Sequence, residues 1–164
     1  MKRFLMVMMV LALGFVSIPV SAISDTQKES IIEKCDNIKT NLKTVQRNDS
    51  RARVFLGAYY ETILTRYITP LNIKLVEKNL SNAGFVENQN GFASGKTIFA
   101  NDFTKYQQML EELVAVDCKT EPEKFYNELV DVRKRRKIME QDVLKMRQLI
   151  SEQIKLVEGL RGKI

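Results

Sequence analysis

The feature that most restricts the fold is a seven-residue apolar rhythm kept over the last forty residues of the chain. Phe125, Val132, Met139, Met146 and Leu160 recur in one column, with Gln153 as its polar member. Leu129, Val143, Ile150, Val157 and Ile164 recur in a second column four residues later, with Arg136 as its polar member. Side chains spaced alternately by four and three share one stripe of an α-helix, the seam that two helices bury when they pack side by side. Thr120 and Glu123 match a capping box, and Pro122 is tolerated in a first turn. A helix is therefore predicted over about 121–162, roughly 60 Å long.

A second stripe begins near Thr26. Ile31, Cys35, Ile38, Leu42 and Val45 lead on to Ala52, Leu56, Tyr59 and Ile63, and Asp49 is the one polar seam position between them. The pattern predicts a long helix over about 26–68, opened by a Thr26–Glu29 capping box and ended at Thr69-Pro70. Asn48-Asp49-Ser50 are residue types that favour caps over helix interiors, so the expectation is either one long helix or two with a bend there. Two short helices are expected between the long ones, over about 70–83 and 102–117. Gly84, Gly91 and Gly95 mark 84–101 as a loop. The fold class expected is all-α: an elongated three- or four-helix bundle with two long coiled-coil-like helices, one domain spanning 23–164.

The first residues set Lys2 and Arg3 before an apolar run from Phe4 to Val16, then Pro19 and the small residues Ser21 and Ala22. That is the layout of a secretory signal peptide over 1–22, and it predicts an exported protein. Removing Lys2 and Arg3 takes the formal charge from +6 to +4, a balance that selects no partner by itself. Cys35 and Cys118 are the two cysteines. In an oxidising compartment one bridge between them is the simplest pairing, the alternative being two buried thiols. Cys35 lies near the start of the first long helix and Cys118 just before the last, so a bridge would make those two helices parallel.

Little in the chain predicts chemistry. There is no His and no CxxC pair, so neither an ordinary general base nor a zinc site is indicated. The glycines of 84–101 have the spacing of neither a P-loop nor a dinucleotide fingerprint. No catalytic residue, metal or cofactor is therefore assigned. Arg133-Lys134-Arg135-Arg136-Lys137 is the densest charge cluster and a candidate anion-binding collar. Five consecutive helical residues wrap more than one turn, so they form no flat patch, and the bland alternative is a solvated face with Arg136 along the seam. Arg51, Arg53, Tyr60, Arg66 and Tyr67 form a basic and aromatic mixture typical of interfaces, while Tyr59 is expected in the core. No aromatic interleaving supports a nucleic-acid site in the basic run.

The segments from Asn48 to Gly57 and from Tyr67 to Asn72, together with Asp117-Cys118 and Phe125-Tyr126-Asn127, resemble a family of small exported helical proteins from reduced-genome candidate-phylum bacteria such as the Saccharibacteria. The resemblance implies a bacterial extracytoplasmic setting and supplies no catalytic residue. In physical type, a small basic exported helical chain is also similar to the periplasmic holdase chaperones of the Skp class, although this chain shows no small β-domain for trimerisation. The function expected is that of a non-enzymatic interaction or structural protein, binding a protein partner or self-associating through amphipathic helix faces. A Skp-like holdase and a peripheral binder of anionic membrane or wall polymer are the alternatives.

Overall fold

The computed structural model describes residues 23–80 and 83–161; the signal segment expected at 1–22 and the last seam residue, Ile164, lie outside the described residues. α1 (Asp25–Thr62), a π-helical segment (Ile63–Ile68) and α2 (Thr69–Glu77) follow one another without a break and form one rod. α3 (Ala83–Ala115) and α4 (Pro122–Arg161) are the other two rods. The fold is all-α, a bundle of three rods in up-down-up order. Asp49 of α1 meets both Tyr106 of α3 and Arg136 of α4. Towards the far end Glu61 meets Lys96, and Asn72 meets Phe85.

The first rod departs from expectation at both ends, and in the middle it takes the unbroken one of the two forms left open. Its capping box is formed by Ser24 and Gln27, not Thr26 and Glu29: the Ser24 hydroxyl accepts the Gln27 N–H, and the Gln27 side chain accepts the Ser24 N–H. Both pairs satisfy the S/T-x-x-E/Q spacing, and the earlier one wins by covering one more half-turn of backbone donors. The helix runs without a break through Asn48-Asp49-Ser50. There the Ser50 hydroxyl donates back to the Gln46 carbonyl, and Asp49 spends its carboxylate on Tyr106 and Arg136, so neither competes for backbone N–H groups.

Pro70 does not end the helix. An interior proline removes one backbone donor and presses its ring on the carbonyl four residues back. Here the turn before it is widened to π geometry, with the Thr69 N–H bonded to the Leu64 carbonyl five residues back. The rod ends instead at Glu77. Asn79 adopts φ 55°, the Leu80 N–H bonds to the Leu75 carbonyl and the Asn79 N–H to the Val76 carbonyl, which together form a Schellman motif. Leu80 then packs with Leu75, Phe85 and Leu160.

The largest correction concerns 84–101, which is not a loop. It is the first half of α3, and the short helix expected at 102–117 is its second half, ending at Ala115. The glycines serve packing and not turning. A β-carbon on Gly91 would stand 3.3 Å from Leu149, and one on Gly95 would stand 2.6 Å from the Met146 sulfur. α3 thereby presses its backbone against α4. Phe85, Phe92, Phe99, Phe103, Tyr106 and Leu110 line the buried face of α3.

On α4 the column Phe125, Val132, Met139, Met146, Gln153 and Leu160 is buried throughout. The α1 stripe drifts, however. Tyr60 is 1% exposed and Tyr59 45% exposed, the reverse of the sequence expectation. Cys35 and Tyr60 are within about 20° of seven full turns of an unstrained helix, whereas seven steps of the alternating three-and-four count from Cys35 arrive at Tyr59. The Tyr60 ring sits edge-on to Phe92 and Phe99. Cys35 and Cys118 form the disulfide, with Cα atoms 5.6 Å apart. As that bridge requires, α1 and α4 run parallel.

Candidate interaction groove

Because α3 holds α4 closely and also buries Tyr60 and Ile68, the first rod and α4 touch each other less than either touches α3. Their facing sides leave an open groove in two stretches, of about 430 and 610 Å³. The first is floored by Phe99 and Phe103 of α3, with Leu56 on one wall and Val143 and Leu144 on the other. The second lies beside the π-helical segment, where Ile63, Pro70 and Leu71 face Ile150, Ile154 and Val157. From Asp49 to Lys74 the groove follows about 38 Å of helix. Its rim carries Leu144 at 61% and Ile154 at 53% exposure, apolar side chains left largely uncovered by the described residues.

The charges along the groove are unevenly matched. Asp49 accepts from the Tyr106 hydroxyl at 2.7 Å and pairs with Arg136 at 3.2 Å. Burial, reinforced by the Asp49 carboxylate, raises the Tyr106 phenol, so it stays a donor throughout the physiological range. Arg53, Arg66, Lys74 and Arg147 line the groove without an ion pair among the described residues, against Glu140 and Glu158. The Arg53 guanidinium lies 5.4 Å from the centre of the Phe103 ring, in cation–π range.

The residues singled out in the sequence separate. Arg53, Arg66 and Tyr67 come together on the groove, while Tyr60 is core and Arg51 is exposed on α1 outside both stretches. The basic run does not form a collar of free cations. Lys134 pairs with Asp131, Arg135 with Asp102 and Arg136 with Asp49, which leaves Arg133 and Lys137 without an acid partner among the described residues. It is Arg135, with its side chain 19% exposed, that is drawn inward; Arg136 stays half exposed. The groove floor was missed because Phe99 precedes the helix start expected at 102. Its signal lay in the four-residue step from Phe99 to Phe103.

Arg135 stands between α3 and α4, 2.5 Å from Asp102, with Asp142 beside the pair. Burial, and then the neighbouring Asp102 carboxylate, push the Asp142 carboxyl above the ordinary aspartate range. A raised carboxyl favours the folded state while protonated, and that contribution is lost as pH rises through the folded pKa. Asp142→Asn keeps a donor for Asp102 and discards the second charge. Its Tm at pH 7 is expected to exceed that of the parent by roughly 1–3 °C, and the difference should close as the pH falls into the ordinary carboxylate range. Thermal melts across that range check it; a variant less stable at pH 7 would refute the assignment.

The fold and groove together define a disulfide-stapled three-helix bundle with one open apolar seam. Comparison with known protein families, with curated proteins and with solved structures gives no match. None of the described helices is long and apolar enough to cross a membrane. No cluster of three metal-ligating side chains occurs among the described residues.

Proposed function

We propose that this chain is a non-enzymatic docking protein of an extracytoplasmic compartment, which holds an amphipathic helix in the groove between its first rod and α4. One observation carries the proposal: the second heptad column of α4, with Val143, Ile150 and Val157, lines an open groove and is only partly covered by its packing within this chain. A helix laid there over Phe99 and Phe103 would complete a four-helix bundle. The signal layout of residues 1–22 and the Cys35–Cys118 bridge support the oxidising location.

Photo-crosslinkers placed in living cells at Leu144 on the rim and at Gln141 on the outer face of α4 test the proposal. A discrete adduct is expected from position 144, none from position 141, and the adduct should vanish in an Ile154→Glu background. Ile154 is more than half exposed, so that change leaves the core intact. Equal crosslinking from both faces would overturn the docking role. Light scattering of the purified protein identifies the case in which the docked helix is a second copy.

A further inference from the structure

We infer that the outer face of α1, a surface independent of the groove, docks on the anionic headgroups of a lipid bilayer, with Val54 and Phe55 entering the headgroup layer. Between Asp36 and Glu61 the chain carries five cations, Lys39, Lys43, Arg47, Arg51 and Arg53, and a single acid, Asp49. Asp49 is turned into the bundle, where it meets Tyr106 and Arg136. Lys43, Arg47 and Arg51 are exposed, and none of the three has an ion pair among the described residues. This length of the rod therefore shows solvent charge of one sign.

Helical periodicity sets apolar side chains beside those cations. Lys43, Arg47, Arg51, Val54 and Phe55 fall within about 120° of arc around α1, and the middle of that arc lies about 160° from the buried Tyr60. Val54 and Phe55, at 71% and 70%, are the two most exposed large apolar side chains of the described residues. The Phe55 ring lies parallel to that of Tyr59 one turn on, with centroids 6.4 Å apart, so the aromatic pair extends the apolar end of the face.

Cations beside protruding apolar side chains are what a helix lying on a membrane uses: the charges draw it to anionic lipid, and the apolar side chains leave water for the acyl boundary. A nucleic acid or soluble polyanion would engage the cations and leave Val54 and Phe55 in water. The basic run of α4 fits lipid less well, since Arg133 and Lys137 share their face with Glu140 and the neighbouring Ile138 is only 38% exposed. Arg51 and the groove residue Leu56 are about 140° apart around the rod, so the groove stays open when the back of α1 rests on lipid.

The test is cosedimentation of the oxidised chain from Ile23 onward, where the described bundle begins, with vesicles of phosphatidylcholine alone or with about 30% phosphatidylglycerol. Binding is expected to the anionic vesicles only, and it should fall steeply as salt is raised. Arg47→Gln with Arg51→Gln should weaken it about 25-fold, about fivefold for each cation, whereas Arg133→Gln with Lys137→Gln should change it less than about twofold. Val54→Ser with Phe55→Ser should weaken it about tenfold. The chain has no tryptophan, so Phe55→Trp reports insertion, and its emission should shift to the blue on anionic vesicles alone. The substituted side chains of α1 are exposed, and unchanged thermal melts verify the fold of each variant. No binding, equal binding to the two vesicle types, or a larger loss from the α4 pair would overturn the inference. A loss with the cations but none with Val54 and Phe55 would mark a site for a soluble polyanion and overturn it equally. The crosslink from Leu144 reads the docking role separately from all of these outcomes.

Discussion

Removing the disulfide, by reduction or in a Cys35→Ala, Cys118→Ala variant, is expected to lower the unfolding free energy by about 4–4.5 kcal/mol in the chain-entropy account. The bridge closes a loop of 83 residues in sequence, so the unfolded chain gains much freedom when it is cut. For a domain of this size the loss corresponds to a fall in Tm of roughly 10–15 °C. The native structure makes the effect local as well as global. Around the bridge the start of α1 is held by the partly buried Ile31 and Ile38 and by Lys28–Glu123 and Asp36–Lys119, ion pairs open to solvent. Exposed pairs of this kind contribute at most about 1 kcal/mol each. Hydrogen exchange in the reduced protein should therefore rise first in the early turns of α1, from Asp25 to about Leu42, before α3 and α4 open. An unchanged Tm on verified reduction would show that packing of Ile31 and Ile38 holds α1 without the staple.

The parts legible in the sequence were those governed by a single periodicity. α4 needed only its heptad count, and the pairing of Cys35 with Cys118 then made α1 and α4 parallel. The parts that were not legible arise where two rules compete. Gly91 and Gly95 read as turn residues, because glycine is a poor helix former; their use as contact surface depends on Met146 and Leu149, more than 50 residues away. Pro70 reads as a stop, and only the widened turn from Ile63 to Ile68 lets the rod pass it. The choice of Tyr60 over Tyr59 follows from accumulated drift between 3.5 and 3.6 residues per turn, invisible over two heptads and decisive over seven turns. The groove inherits the first two effects. Phe99 of its floor lies on the half of α3 that glycines disguised, and its larger stretch borders the π-helical segment. The polar seam residue Gln153 was visible, but that it would be buried without a partner was not.

Replacing Gly95 is expected to be the most damaging single change that removes no atom from the protein. Gly95→Val should destabilise the fold by about 2–3 kcal/mol, the cost typical of overfilling a packed interior. The first added carbon already falls 2.6 Å from the Met146 sulfur, and Met146 is wholly buried, so the thioether has to find a new rotamer among close neighbours. Two further methyl groups leave it no such place, and α3 must move off α4. Helix propensity works in the opposite direction, since glycine is worse than alanine by about 1 kcal/mol in a helix interior. Gly57 isolates that term: a β-carbon there meets nothing within 4 Å, so Gly57→Ala should stabilise the protein by about 0.5–1 kcal/mol. The contrast between the two sites, measured by urea denaturation, separates backbone preference from contact. Met146→Ala supplies the second control. Alone it leaves a cavity costing about 2–5 kcal/mol, but beside Gly95→Val it makes room for the added methyls, and the double variant should be more stable than the sum of the two losses allows. Additive losses would mean that α3 and α4 do not meet at this point, and with them would go the close approach that leaves the first rod and α4 parted along the groove.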